Sequence, residues 1–387
     1  MKPKVEFSMA GLLSMALAAT TVAQTGVRSA ITNDAGWENG WAKTLPGASR
    51  PNAETAFVYR PETEWTYSHH PFISFFRGRF YAIWSNGRQD QDAAGQRVLM
   101  STSADFSHWE PPHPLIDSRS ERILTAGGLH VHNNELVAFF GSQEAGVEAS
   151  WMEAVIMRDG QPWRSVPDMA LPVASNHGPF PLASGRLLIC SSGPWFSYTD
   201  DPRGITGWRT GGLYPQSTAG SSGERKAIAQ QKKWPSVLGE PSFFQTDDGV
   251  VQMLMRNPGA RRLWLTQSHD NGETWSPPVE TEFSNSVSKF HFGRLPDGRF
   301  YYVGNPLGMP GPRTPLILSI SRDGIRFNRH FVLGDSHFEI RRAGQGKYGE
   351  YAYPHSIVQD GHVYVIVSRQ KEAIEVLRIS LRDLSEN

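Results

Sequence analysis

Apolar positions along this chain fall in short runs that come in pairs, and each pair is broken by a two-residue polar turn. Six such pairs read HHPFISFFRGRFYAIW, LHVHNNELVAFFG, NHGPFPLASGRLLIC, GEPSFFQTDDGVVQML, KFHFGRLPDGRFYYVG and AYPHSIVQDGHVYVIV. Runs of this length, rich in Phe, Tyr, Val and Ile and bounded by Gly, Asn or Asp, are hairpin signals. The turns centre on Gly78, Asn134, Gly185, Gly249, Gly298 and Gly361, so neighbours stand 56, 51, 64, 49 and 63 residues apart. Repetition at about 50 residues, in units that cannot bury their faces alone, predicts a propeller. The fold class expected is therefore all-β, a six-bladed β-propeller. A seven-bladed ring is the alternative, if the N-terminal arm contributes more than one strand. Each pair also carries a polar residue near the start of its first strand. If those strands are innermost, six distant polar side chains converge on one axial pocket.

The rest of the chain fits one domain. Residues 1–23 carry lysines at Lys2 and Lys4, an apolar run from Met9 to Ala19, and small residues around Ala23. That pattern predicts a signal peptide, hence a secreted protein, extracellular or periplasmic. Residues 24–54 read as an aperiodic arm and 55–387 as the propeller. The strand-like stretch from Thr55 to Pro61 is placed to close the ring by pairing with the last blade, which removes an exposed edge. The stretch from Gln216 to Trp234 reads as a loop or short helix over one rim. With 37 Gly, 27 Pro and 12 Trp, the composition suits many short strands packed on aromatics. Lysine plus arginine equals aspartate plus glutamate, 38 each, so no global charge draws the chain to nucleic acid or a membrane. The single cysteine, Cys190, lies in an apolar strand and reads as core.

Between the hairpins sit aspartate-rich turns. Ser268-His269-Asp270-Asn271-Gly272-Glu273-Thr274-Trp275 is intact, and shorter forms begin at Ser103 and Ser321, with a distorted copy at Thr199. An Asp box of this kind within blade-like repeats resembles the sialidase superfamily, across nearly all of the predicted propeller. The resemblance implies a sialidase-type propeller, with three arginines for a substrate carboxylate, a Tyr–Glu nucleophile couple and an aspartate acid/base. Arg256 and Arg313 match two of the arginines, and Glu240 matches the glutamate that leads its strand. The first arginine is missing, because its place reads Tyr67-Ser68-His69-His70-Pro71. A tyrosine survives at Tyr353, while the place where its partner glutamate is expected holds Ser368. Asp90 or Asp92 matches the acid/base loop.

The polar inventory at the strand starts is rich in histidine and arginine and poor in paired carboxylates. Hydrolysis by two carboxylates needs a close pair, whereas elimination from a uronate needs a cation on the carboxylate, a base and an acid. YSHHP, GRFYAIWSNGR and KFHFGRLPDGRFYYVGNP are similar to secreted propeller lyases that release terminal L-rhamnose from glucuronate on arabinogalactan such as gum arabic. This second resemblance implies a polysaccharide lyase acting at the non-reducing end. His70 is then the base and Tyr353 the acid. Arg256 and Arg313 hold the carboxylate, and His132, His177, Glu240 and His291 bind sugar hydroxyls. The alternatives are an exo-α-sialidase-like hydrolase and a non-catalytic glycan-binding propeller. No metal-ligand spacing, phosphate loop or nucleotide fingerprint occurs in the sequence. The expected partner is therefore an acidic oligo- or polysaccharide, with no cofactor, nucleic acid or membrane, and the chain is expected to be a monomer.

Overall fold

A computed structural model describes residues 31–33, 48–147, 150–167, 169, 171, 175, 177–190, 195–212, 230, 238–257, 262–306 and 313–385. Within them, strands form six four-stranded antiparallel sheets, the blades of a propeller. Blades 1 to 5 run Tyr67–Ile116, Arg122–Ser165, Phe180–Gly212, Gly239–Ser284 and His291–Gly334. Blade 6 is closed by a strand from the other end of the chain. Ala53–Tyr59 pairs with Ala373–Ser380, in a register that sets Ala53 opposite Ile379 and Thr55 opposite Leu377. This is the pairing expected of Thr55–Pro61, begun two residues earlier. The predicted leader at residues 1–23 and the rim stretch Gln216–Trp234 lie outside the described residues, except Gln230.

The hydrophobic pattern has a simple geometric cause. Along the second strand of blade 2, Val137 and Phe139 pack on blade 3 while Ala138 and Phe140 pack on blade 1. Successive side chains of a strand point to opposite faces, and both faces here meet a neighbouring blade. The strands therefore read LVAFF or VYVIV rather than alternating apolar and polar. Buried apolar clusters fill every junction between blades in the same way, and Cys190 lies in the one between blades 3 and 4. The arm also touches the ring before its strand begins. Thr32 N bonds Ile325 O at 2.9 Å, and Ser49 N bonds His330 O at 3.0 Å, along the outer edge of blade 5.

The aspartate-rich turns join the third strand of a blade to its fourth. In the intact copy, Asp270 Oδ1 accepts from the backbone N–H of Glu273 at 3.1 Å and of Thr274 at 2.8 Å, and from Ser268 Oγ at 2.8 Å. Gly272 sits at φ 84°, where an added Cβ would lie 2.6 Å from Leu188 of blade 3. Trp275 fills the same junction, 5.2 Å from the Phe196 ring. The turn thus packs one blade against the next and lies far from the axis. Replacing Asp270 by Ala is expected to cost about 1–3 kcal/mol of stability through orphaned turn N–H groups, read as a lower urea midpoint. Any catalytic activity of the folded chain should be unchanged.

Candidate active site at the propeller axis

Three of the residues nearest the axis share one local device. His70, Glu240 and Tyr353 each precede a proline, and each adopts a left-handed backbone, at φ 52°, 47° and 55°. Their inner strands lose register at these points, between His69 and Phe72, between Gly239 and Ser242, and between Ala352 and His355. The extra residue of a bulge bends the strand and re-aims its side chain. Proline suits such a place because the bulged residue gives up a ladder hydrogen bond. A left-handed residue before proline is strained all the same, by about 1–3 kcal/mol per site. The bulge also explains how His69 and His70, adjacent in sequence, both point inward, with ring centroids 4.4 Å apart.

These bulges build one buried network across three blades. The Tyr353 hydroxyl donates to a Glu240 carboxylate oxygen. Arg256 Nη1 lies 2.7 Å from Glu240 Oε2 and 3.3 Å from the Tyr353 hydroxyl. His69 and His70 flank the phenol ring, at 4.1 and 5.3 Å between centroids, and Arg313 Cζ lies 5.3 Å from its centre. Burial, then the Glu240 charge, raises the Tyr353 phenol well above its ordinary value, with Arg256 and Arg313 opposing. Burial works against the charge on Arg256, but Glu240 and Tyr353 outweigh it and its value rises.

The two imidazoles differ in their partners. Ser85 Oγ accepts from Ala126 N at 2.9 Å and lies 3.1 Å from His70 Nδ1. Burial, then Lys289, lowers His70 to about 3. His69 Nδ1 lies 2.7 Å from Ser368 Oγ. Ser368, where a glutamate partner for the tyrosine was expected, thus serves a histidine, and the carboxylate comes from Glu240 of blade 4.

At the mouth, Asp90 and Asp92 part ways. Asp90 Oδ1 accepts from Gln345 N at 2.7 Å and pins the loop that precedes blade 6. Asp92, at φ 52°, keeps an exposed side chain. Lost hydration in the cleft raises its carboxyl, against the pull of Gln91 and Lys371. Lys371 Nζ donates to Gln91 Oε1 at 2.5 Å and to Gly346 O at 2.7 Å. Burial, then Arg313, lowers it to about 7.

The other expected residues divide. His177 is buried and donates to the Glu240 carbonyl, and its value is pushed well down by burial and then by Lys289. His291 lies deeper, with Nδ1 2.7 Å from Ser356 Oγ and its ring 4.6 Å from His355. His132 is a correction. It pairs with Glu135 at the hairpin end of its strand and bonds the Asn133 side chain at 2.9 Å, on the face away from the site. The inner strand of blade 2 starts at Arg122, earlier than its hydrophobic run suggests. Its bulge falls between Ala126 and Gly128, so blade 2 offers glycine at the axis. Sequence reasoning missed Lys289 and Lys371. The dipeptides His-Pro, Glu-Pro and Tyr-Pro at three strand starts were a usable signal for the bulges, but nothing equivalent marks Lys289.

Among solved structures the fold is similar to a sialidase, with a TM-score of 0.59 and 17% identity over 86% of this chain and 33% of that one. It is similar to the Trypanosoma rangeli sialidase in complex with sialic acid, at 0.59 and 14% over 87% of this chain and 60% of that one. A protein of unknown function from Dyadobacter fermentans gives 0.62 and 14%, over 87% of this chain and all of the other. The chain thus spans less than two thirds of both sialidases, and at these identities the likeness is one of fold. No curated protein matches it in sequence. The hairpin repeats themselves, from residue 78 to residue 365, match the BNR repeat-like domain, and the chain belongs to that family.

Proposed function

We propose that the chain is a carbohydrate-active enzyme that hydrolyses a terminal acidic sugar from a glycan, with Tyr353 as nucleophile. The observation that carries this reading is the buried contact of the Tyr353 hydroxyl with Glu240, itself paired with Arg256. A phenol is a weak nucleophile until a base takes its proton, and a carboxylate already in contact does so during attack. Tyr353 Oη attacks the anomeric carbon as its proton passes to Glu240, and Asp92 protonates the leaving oxygen. Water then attacks the anomeric carbon with Asp92 as base, the bond to Tyr353 breaks, and Glu240 returns its proton to the phenolate. Arg313 faces the substrate carboxylate, while Arg256 holds Glu240 against Tyr353. The basic, apolar and small-residue order of residues 1–23 supports export to where such glycans occur.

A second reading is β-elimination from a uronate such as rhamnosyl-glucuronate, with His70 as base and Tyr353 as acid. The imidazoles stacked about Tyr353 favour it. Against it, burial and then Lys289 depress His70 to about 3, while the Tyr353 proton is already committed to Glu240.

One substitution, at His70, separates these readings, and two more test the hydrolytic one. Tyr353→Phe is expected to lower turnover on the order of a thousandfold or more. His70→Asn should lower kcat/KM by about tenfold at most and leave the pH profile unchanged in shape, since a positioning group carries no proton in the reaction. Loss of all activity in His70→Asn, with ultraviolet-absorbing unsaturated uronate as the wild-type product, would establish elimination instead. Asp92→Asn is expected to lose about a hundredfold on natural glycans but under tenfold on an aryl glycoside, whose leaving group needs little protonation. Equal losses on both would remove Asp92 as the acid.

A further inference from the structure

Lys289 is a buried ammonium on the axis that the proposed mechanism leaves unused. It immediately precedes the inner strand pair of blade 5 and is fully buried. Its Nζ lies 4.3 Å from the Phe72 ring centre and, among the described residues, has no hydrogen-bond partner. Burying an unpaired ammonium is costly, so its position calls for a reason. Around it stand His70, His177, His291 and His355, all pushed down partly by its charge, with Glu240 as the opposing carboxylate.

Arg313 reaches the same place from a different loop. Its Nη2 donates to Val287 O at 3.1 Å, two residues before Lys289, and its buried Nη1 has no hydrogen-bond partner among the described residues. Both cations act on the same pair of imidazoles, His69 and His70. Arg256, by contrast, is committed to Glu240 and Tyr353. The floor therefore holds two cations without a matching anion beside one cation that is paired.

We propose that Lys289 and Arg313 form the seat for the substrate's carboxylate, with Lys289 supplying the positive charge that the chain lacks at His70. This rests on the reading of an acidic terminal sugar as substrate and names the residue that selects it. The ammonium acts from beneath the floor, where a low dielectric makes an unscreened charge felt over several ångströms. Burial brings Lys289 to about 7, against the pull of Glu240. A bound carboxylate favours the charged form, so ligand binding and proton uptake at Lys289 are coupled.

The test is calorimetric binding of glucuronic acid and free sialic acid against their methyl esters, on the full chain and two variants. The wild type is expected to bind at least one acid about tenfold or more tightly than its ester. Lys289→Met should abolish most of that preference, leave ester binding within about twofold, and raise Tm, because an unpaired buried charge is removed. Lys289→Arg should keep the acid preference. A Lys289→Met chain that retains the preference, melts lower or fails to fold overturns the proposal, as does a wild type blind to the carboxylate. Wild-type chain that prefers the acid through Lys289 yet turns over no glycan would discard the hydrolytic reading and leave the seat standing.

Discussion

No blade of this protein has a core of its own. Each sheet is apolar on both faces, and only the blades beside it can cover those faces, so the ring must close for any blade to be stable. The closing strand Ala53–Tyr59 is thus more than a tail on the last sheet. It completes blade 6 from the opposite end of the chain and removes the edge that would otherwise be left open. The Asp-box turns act at the outer rim in the same sense, each carrying an aromatic or glycine into the junction with a neighbour.

Closure also supplies the rigidity that the axis uses. Left-handed residues before proline persist only where the surrounding structure over-determines them. Here three blades each hold one, anchored by two fully packed junctions. The result is a phenol, a carboxylate and a guanidinium from three different blades within hydrogen-bond range, with two imidazoles against the phenol ring. Such a site needs no movement to assemble. Its acid loop is held in the same manner, because Asp90 and Gln91 tie the loop carrying Asp92 to the segment before blade 6.

Charge at the axis is unevenly matched. Glu240 balances Arg256, while Arg313, Lys289 and Lys371 share no second buried carboxylate there among the described residues. Burial depresses both lysines and the nearby imidazoles, and the surplus adds to it at Lys371 and the imidazoles. It explains why a site so rich in histidine offers few bases. The imidazoles are hydrogen-bonding walls, and in the proposed mechanism the chemistry falls to the side-chain oxygens of Tyr353, Glu240 and Asp92.

Much of the architecture was already written in the chain. Paired apolar runs at about 50 residues determined the blades, and Thr55 to Pro61 announced the closing strand, because burial on two faces leaves a continuous hydrophobic signature in any strand. Glu240 and Tyr353 were identifiable at strand starts, and Arg256 and Arg313 by the resemblance to the sialidase superfamily. Their partnership was not, since hydrogen bonds between residues 113 positions apart leave no local trace. The position of His132 was misread because a glycine bulge, invisible to period-two reasoning, moves the axial end of blade 2 ten residues upstream of the hairpin. Lys289 went unnoticed for a related reason. Whether a lysine is solvated or buried depends on what the other five blades place around it, and only the closed ring decides that.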